Sequence, residues 1–457
     1  MREVAEGAYA NLVLPKLLRE KRIQGRDAGF ATELVYGATR LSGLYDAIAA
    51  RAADRPVDKI DPRVLDTIRL GAHQLLSMRV PTHAAVDETV ALARQVNGAG
   101  ASGFVNAVMR RISERPLVEW LDLVSADTPD PAESLAIRTS HPLWIVKAFR
   151  AALIGHGRAT AATVDGDLVA LLESDNAPAK VSLVARPGLA TVAELVDAGA
   201  EPSATSPVGA VLPEGDPGAI AAVRTGRAAV QDEGSQLLAL ALAAAEVGEE
   251  AGANERWLDL CAGPGGKAGL LAGIAVEHRI PLVANEVSEH RAGLVRQTLS
   301  AATAAAQAAG TTIEVRQGDG RDVGGSHPAA FSRVLIDAPC TGLGALRRRP
   351  EARWRRSARD VAALATLQRE LLHSGIDATR SGGVIGYATC SPHLNETRFV
   401  VQDVLKKRDD VELVDARPLF VDASGQQLAD LGDGPHVQLW PHVHGTDAMF
   451  FALLRKR

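Results

Sequence analysis

In the first 135 residues apolar positions recur at three- and four-residue spacing, as in "DAGFATELVYGATRLSGLYDAIAARA", "DPRVLDTIRLGAHQLLSMRV" and "HAAVDETVALARQV". That repeat gathers them on one face of a helix. Asp61-Pro62 reads as an N-cap with proline in the first turn, and Pro81-Thr82 as the next helix start. Residues 1–135 are therefore predicted to form an all-helical bundle. Over 140–232 the pattern changes: strand-like "AKVSLVAR", "GAVLP" and "AAVQDE" are separated by glycine and proline turns and by helical "TVAELVDAG". A small α+β module is expected there. From 235 to 457 strand and helix alternate, the strand-like runs being "RWLDL" (256–260), "PLVANE" (281–286), "TIEVRQ" (312–317), "RVLIDA" (333–338), "GGVIGYAT" (382–389) and "AMFFALLR" (448–455). This α/β alternation predicts a mainly parallel, doubly wound sheet, with ligands at the carboxyl ends of its strands. "SAATAAAQAAG" (300–310) reads as the end of a crossover helix closed by Gly310.

Composition narrows the setting. At 457 residues the chain is too long for one ordinary core, and 46% hydrophobic with 23% charged residues suits a packed protein. The N-terminus shows no apolar core before a small-residue cleavage site, and "LLALALAAA" (237–245) is far short of the roughly 20 residues that cross a bilayer. A cytoplasmic protein without a membrane span is expected. Three cysteines, Cys261, Cys340 and Cys390, argue for reduced thiols, and none has a partner at metal-ligand spacing, so no metal is expected. The net charge of −5 gives no global sign of nucleic acid. Locally, "LRRRPEARWRRSARD" (346–360) holds seven arginines against one Glu and one Asp. Arg347, Arg348, Arg349, Arg353, Arg355 and Arg356 are candidate phosphate contacts, with Trp354 as a stacking surface for RNA.

The second half carries the candidate chemistry. "LDLCAGPGGKAG" (258–269) is a strand, a glycine-rich turn and a helix start, in which Gly263, Gly265 and Gly266 let backbone approach a ligand. It matches neither the P-loop nor the dinucleotide fingerprint. Glu286 ends the second strand, where an acid can bind ribose hydroxyls, and Asp319 ends the third, near an adenine edge. An adenosine cofactor without pyrophosphate, S-adenosylmethionine, fits these positions. "IDAPCTGLG" (336–344) ends the fourth strand with Asp337 and Cys340, and "YATCSPHLNE" (387–396) ends the fifth with Cys390. If those strands are neighbours, two thiols and a carboxylate meet at the cofactor site. A thiolate added to carbon 6 of cytosine makes carbon 5 nucleophilic toward a methyl sulfonium. A carboxyl group at ring nitrogen 3 can assist, and a base must then remove the carbon 5 proton. Which thiol attacks is open at this level.

"LDLCAGPGGKAG", "QGDGRD", "IDAPCTGLGALRRRPEARW" and "GYATCSPHLNET" together resemble the bacterial ribosomal-RNA cytosine-5 methyltransferases of the Sun, or RsmB-like, family. "RDAGFATELVYGATR", "IRLGAHQLL", "PTHAAVDETVALAR" and "GFVNAVMRRI" look like the NusB-type helical RNA-binding domain that precedes the enzyme domain there. The resemblance implies a Rossmann-like S-adenosylmethionine-dependent domain (235–457), a NusB-like bundle (1–135) and a small α+β RNA-binding or linker module (140–232). It implies that Cys261, Ala262, Gly263, Pro264, Gly265, Gly266 and Lys267 line the cofactor site with Glu286, Arg291, Asp319 and Asp337, and that Lys267, which would otherwise read as an unremarkable surface residue of its helix, also approaches the target base. It selects Cys390 as nucleophile and Cys340 as the release group, through a covalent cysteine–cytosine adduct in RNA, expected to be 16S rRNA or its assembly intermediate. A local positive field from the arginine-rich segment and the cofactor would help ionise the thiol. Relatives more often carry Asp where Glu286 stands and Ala where Gly263 stands, changes that look harmless; "HVHGTDAMFF" (442–451) departs from their usual ending. A monomer is expected. One rival reading is an RNA-binding assembly or antitermination factor with a retained enzyme scaffold, against which the intact turn, acids and thiols speak; among enzymes, the rival is a methyltransferase with another acceptor, such as transfer RNA or a protein.

Overall fold

The computed structural model describes residues 1–252 and 254–457. The chain forms two compact units. The first comprises Met1–Arg150, Leu168–Pro178 and Leu346–Arg356. Its helices include Ala10–Glu20, Gly25–Arg40, Ser42–Ala53, Pro62–Leu76, Thr82–Val96 and Ala99–Ser113. The Asp61 side chain accepts hydrogen bonds from the Arg63 and Val64 amides at 2.8 and 3.3 Å, satisfying N–H groups that a helix start leaves open. Leu44, Tyr45, Ile48, Ile68, Met109 and Trp120, brought inward by the three- and four-residue spacing, are buried together. Gly71 permits the close approach of neighbours, since a Cβ there would stand 2.6 Å from Met109 and 2.7 Å from Thr89.

The second unit comprises Ala151–Asp167, Ala179–Ala345 and Ser357–Arg457, and carries two sheets. Strands β1 (Val181–Ala185), β2 (Glu201–Pro202), β3 (Gly209–Leu212) and β4 (Ala228–Val230) pair antiparallel in the order β2-β3-β1-β4. The larger sheet has eight strands: β5 (Trp257–Asp259), β6 (Leu282–Glu286), β7 (Ile313–Gln317), β8 (Phe331–Asp337), β9 (Thr379–Thr389), β10 (Val411–Val414), β11 (Val437–Gln438) and β12 (Phe450–Lys456). Its order is β10-β12-β9-β8-β5-β6-β7, with β11 on β12. The five neighbouring strands β9, β8, β5, β6 and β7 are parallel, as the alternation predicts, whereas β12 runs antiparallel to β9. Short β10 and β11 were not legible in the sequence pattern.

Both faces of this sheet are buried, so its strands read as continuous apolar runs. Along β8, Val334 and Ile336 join Leu371, Leu372 and Ile376 of the helix Ala358–Ala378. Leu335 points the other way, to Leu270, Leu271 and Val295 of the helices Gly266–His278 and Glu289–Ala309. Gly310, at φ 75°, ends the latter. Because the chain leaves β5 for β6 and β7 on one side and returns to β8 on the other, strand order reverses between β5 and β8. A crevice is expected at the carboxyl ends of those two strands.

Candidate active site

The chain leaves β5 at Asp259 and turns through residues 260–265 into the helix Gly266–His278. The Gly263 amide donates to Glu286 Oε2 at 3.0 Å, and the Ser288 amide donates to Oε1 at 3.0 Å. The carboxylate at the end of β6 is thus held against the turn, 2% exposed. Arg291 donates to the Gly263 carbonyl and lies 3.5 Å from Glu286. A Cβ at residue 263 would stand 2.2 Å from Glu286 Oε2 and 2.8 Å from Arg291 Nε. Alanine at 263 would therefore require the Glu286 carboxylate and Arg291 to shift, because the longer acid at 286 already fills its space. Gly265 has φ 115°, a conformation side chains rarely adopt. Asp319 follows β7, paired with Arg321 at 2.6 Å, whose hydrogen bonds hold its carboxyl below the usual range. Burial, then the carboxylate of Asp259, pushes the Cys261 thiol well up, so it serves the turn as a neutral group. A turn stripped of side chains, a buried acid facing it and a second acid one strand further fit an adenosyl group.

Asp337 of β8 pairs in register with Ala388 of β9, which sets the following loops side by side. Cys340 Sγ and Cys390 Sγ lie 3.4 Å apart without a disulfide. The hydrogen bond to Cys390, reinforced by burial, holds the Cys340 proton well above the ordinary thiol range. Lys267, in the first turn of its helix, donates from Nζ to Asp337 Oδ2 at 2.8 Å. It is 8% exposed, which removes the reading of a surface helix residue. Burial opposes its charge, but Asp337 outweighs burial and Cys390 adds to it, so its pKa is raised. The positive charge coupled to Cys390 within this unit thus belongs to Lys267 rather than to the arginine-rich segment. Lys267, Asp337, Cys340 and Cys390 all stand where strand order reverses.

The profile described as 16S rRNA methyltransferase RsmB/F matches residues 250–455, and that of the NusB family matches residues 1–114. Rv1407 of Mycobacterium tuberculosis is 51% identical over 99% of this chain and 93% of its own. Ribosomal RNA small subunit methyltransferase B of Pseudomonas putida is 31% identical over 98% of this chain and 94% of its own. The chain belongs to the RsmB/F methyltransferase family. It is an S-adenosylmethionine-dependent methyltransferase of that kind, with a NusB domain at its N-terminal end. The solved structure of PH0851 has the same fold at TM-score 0.74, with 20% identity over 97% of this chain and 93% of that one.

In this RsmB/F-family chain the arginine-rich segment differs from its expected role. Arg353 is fully buried and donates to the carbonyls of Arg40, Ser140 and Asp175 and to Asn176 Oδ1, at 2.9 to 3.3 Å. Burial lowers its pKa to about 10. It is a structural anchor of the helical unit and not a phosphate contact. Arg355 donates to the carbonyls of Val4, Gly7 and Ala8, and Arg347 is 9% exposed. Arg349 and Trp354 are exposed, and Arg348 and Arg356 half-buried, which leaves these four able to face a ligand.

The structure also adds residues that sequence reasoning passed over. Gly344 donates to the Cys390 carbonyl at 2.9 Å and accepts from the Ala448 amide at 2.8 Å. A Cβ there would stand 2.0 Å from the Ala448 carbonyl oxygen. The unusual ending "HVHGTDAMFF" therefore leads into β12 by way of a backbone seat for the loop after Cys340. Among the described residues no group of acids, histidines and cysteines is placed to hold a metal ion, and no helix is long and apolar enough to cross a membrane.

Proposed function

We propose that this protein methylates carbon 5 of a cytosine in ribosomal small-subunit RNA, through a covalent bond between Cys390 and carbon 6 of the base. The observation that carries this reading is the 3.4 Å approach of two thiols beside the Lys267–Asp337 pair. S-adenosylmethionine, bound by residues 261–267 with Glu286, Arg291, Asp319 and Asp337, supplies an electrophilic methyl group. Cys340, whose proton is held by the neighbouring sulfur and by burial, is the poorer nucleophile of the two, and Cys390, the thiol that the family resemblance selects, is assigned as the attacking sulfur. Lys267 stabilises that negative charge and holds Asp337 in place for ring nitrogen 3, where a carboxyl group supports addition at carbon 6. A base then takes the carbon 5 proton, the carbon 5–carbon 6 double bond re-forms, and the Cys390–carbon 6 bond breaks with its electron pair going to sulfur; Cys340, beside it, assists that release. Arg348, Arg349, Trp354 and Arg356, with the NusB-type bundle, are the proposed RNA contacts, and the protein acts in the cytoplasm as a monomer.

The test is incubation with labelled cofactor and small-subunit RNA, naked or in partly assembled particles, followed by sequencing for 5-methylcytosine. Cys390→Ala is expected to abolish transfer with cofactor affinity unchanged, and Cys340→Ala to accumulate a protein–RNA adduct stable to denaturation. Absence of label in any cytosine removes the reading; an adduct formed by Cys390→Ala and not by Cys340→Ala exchanges the two roles.

A further inference from the structure

Six residues beyond Cys390, the Glu396 side chain is completely buried. A buried carboxylate needs donors for its oxygens. Glu396 finds them on both cysteine loops. The Thr341 amide donates to Oε1 at 2.7 Å, and the Thr341 hydroxyl donates to Oε2. From the other loop, the Ser391 hydroxyl donates to Oε2 at 2.7 Å. Thr341 and Ser391 are the residues immediately after Cys340 and Cys390. The helix Ala358–Ala378 adds Gln368, whose Nε2 lies 3.4 Å from Glu396 Oε1 and donates to the Pro339 carbonyl at 2.8 Å, just before Cys340. Behind the carboxylate, the Tyr387 hydroxyl of β9 donates to the Glu396 carbonyl at 2.8 Å.

We infer that Glu396 is a positioning residue that ties the two cysteine loops together and sets the spacing of their sulfurs. The inference rests on the proposed two-thiol reaction for its catalytic meaning, but its geometry stands apart from any substrate. Charged acceptors make the stronger hydrogen bonds, and an acid with both oxygens engaged by two loops fixes their separation more tightly than the backbone bond from Gly344 to Cys390 and the 3.2 Å contact of the Thr341 and Ser391 hydroxyls do by themselves. Without it each loop keeps its strand but loses its register against the other. The two sulfurs must serve the same ring in succession, and a displacement of about 1 Å can cost about 100-fold in rate. Glu396 acts through Thr341 and Ser391, the residues that follow the two cysteines, and is no catalytic residue.

The experiment compares the full-length protein with Glu396→Gln, which keeps the shape but replaces one acceptor by a donor, and with the milder Thr341→Val and Ser391→Ala. Sulfur spacing is read by diamide: two thiols give up two electrons and two protons to the azo bond, forming a Cys340–Cys390 disulfide and a hydrazine, followed by peptide mass spectrometry. Glu396→Gln is expected to slow bridging about tenfold and single-turnover methyl transfer about 100-fold, with cofactor affinity and cooperative unfolding retained. The two milder variants should fall between it and the native protein. Native bridging in all three variants overturns the inference, as does a loss of transfer with bridging untouched. If Glu396→Gln fails to fold, the other two decide. If the native protein methylates no cytosine, the proposed reaction falls, while the bridging rates still judge Glu396.

Discussion

At the scale of single residues, the cofactor turn shows two positions whose meaning depends on each other. Glu286 is one methylene longer than the Asp, and Gly263 one methyl shorter than the Ala, that the family resemblance leads one to expect at these positions. The longer side chain carries its carboxylate into the volume the methyl would need, since a Cβ at 263 would meet Glu286 Oε2 at 2.2 Å. Overpacking of this kind costs about 1–3 kcal/mol. Gly263→Ala alone and Glu286→Asp alone are each expected to weaken cofactor binding about tenfold or more, and the double variant to recover most of it. Calorimetric titration with S-adenosylmethionine over the four proteins checks this, and simple additivity of the two losses would contradict it. Asp259, one strand away, makes a prediction about pH. Its Oδ2 is buried without a hydrogen-bond partner, and burial, then Asp337, pushes it up to about 8. The folded state thus holds a proton that the unfolded chain releases near the usual value of about 3.9. Stability contributed by this group is complete below that value and is lost as pH rises through about 8. Asp259→Asn is expected to remove that slope, so its melting temperature should gain on the native protein between about pH 5 and 9.

At the scale of elements, composition and contact give different accounts of Leu346–Arg356. Seven arginines within residues 346–360 read as a surface for phosphate. Folding uses the longest reaches of the run otherwise. Arg353 supplies donors to the carbonyl of Arg40, which ends a helix, and to those of Ser140 and Asp175. Helix ends leave such carbonyls without partners, and a guanidinium has donors for several at once. Arg353→Met keeps much of the volume but strands those acceptors and removes the positive charge beside Asp175. It is expected to destabilise the helical unit by about 3–5 kcal/mol, read as a lower denaturation midpoint and faster amide exchange at residues 37–41 and 139–141. Unchanged exchange there would refute the anchoring role. Arg349 and Trp354, exposed in the same segment, are where an RNA contact should be sought. Which arginines are buried could not be read from a run in which six of the eleven residues 346–356 are arginine.

At the scale of the molecule, the sequence determined the succession of helical, mixed and alternating α/β regions, because hydrophobic period is a local property. It also determined the Gly263–Gly266 turn, the acids at successive strand ends and the family, because these are strings of residue types at short spacing. The tertiary structure decided what depends on groups distant along the chain. Parallel pairing of β8 with β9 brought Cys340 and Cys390, 50 positions apart, to 3.4 Å. Close packing turned Lys267 from a helix-surface residue into the buried partner of Asp337, 70 positions away. Burial turned Arg353 from a ligand contact into an anchor and gave Glu396 its place between two loops. The chain order states which side chains exist; only the folded chain states which oxygen, nitrogen or sulfur each must satisfy, since a polar group out of water takes the partner that packing leaves it.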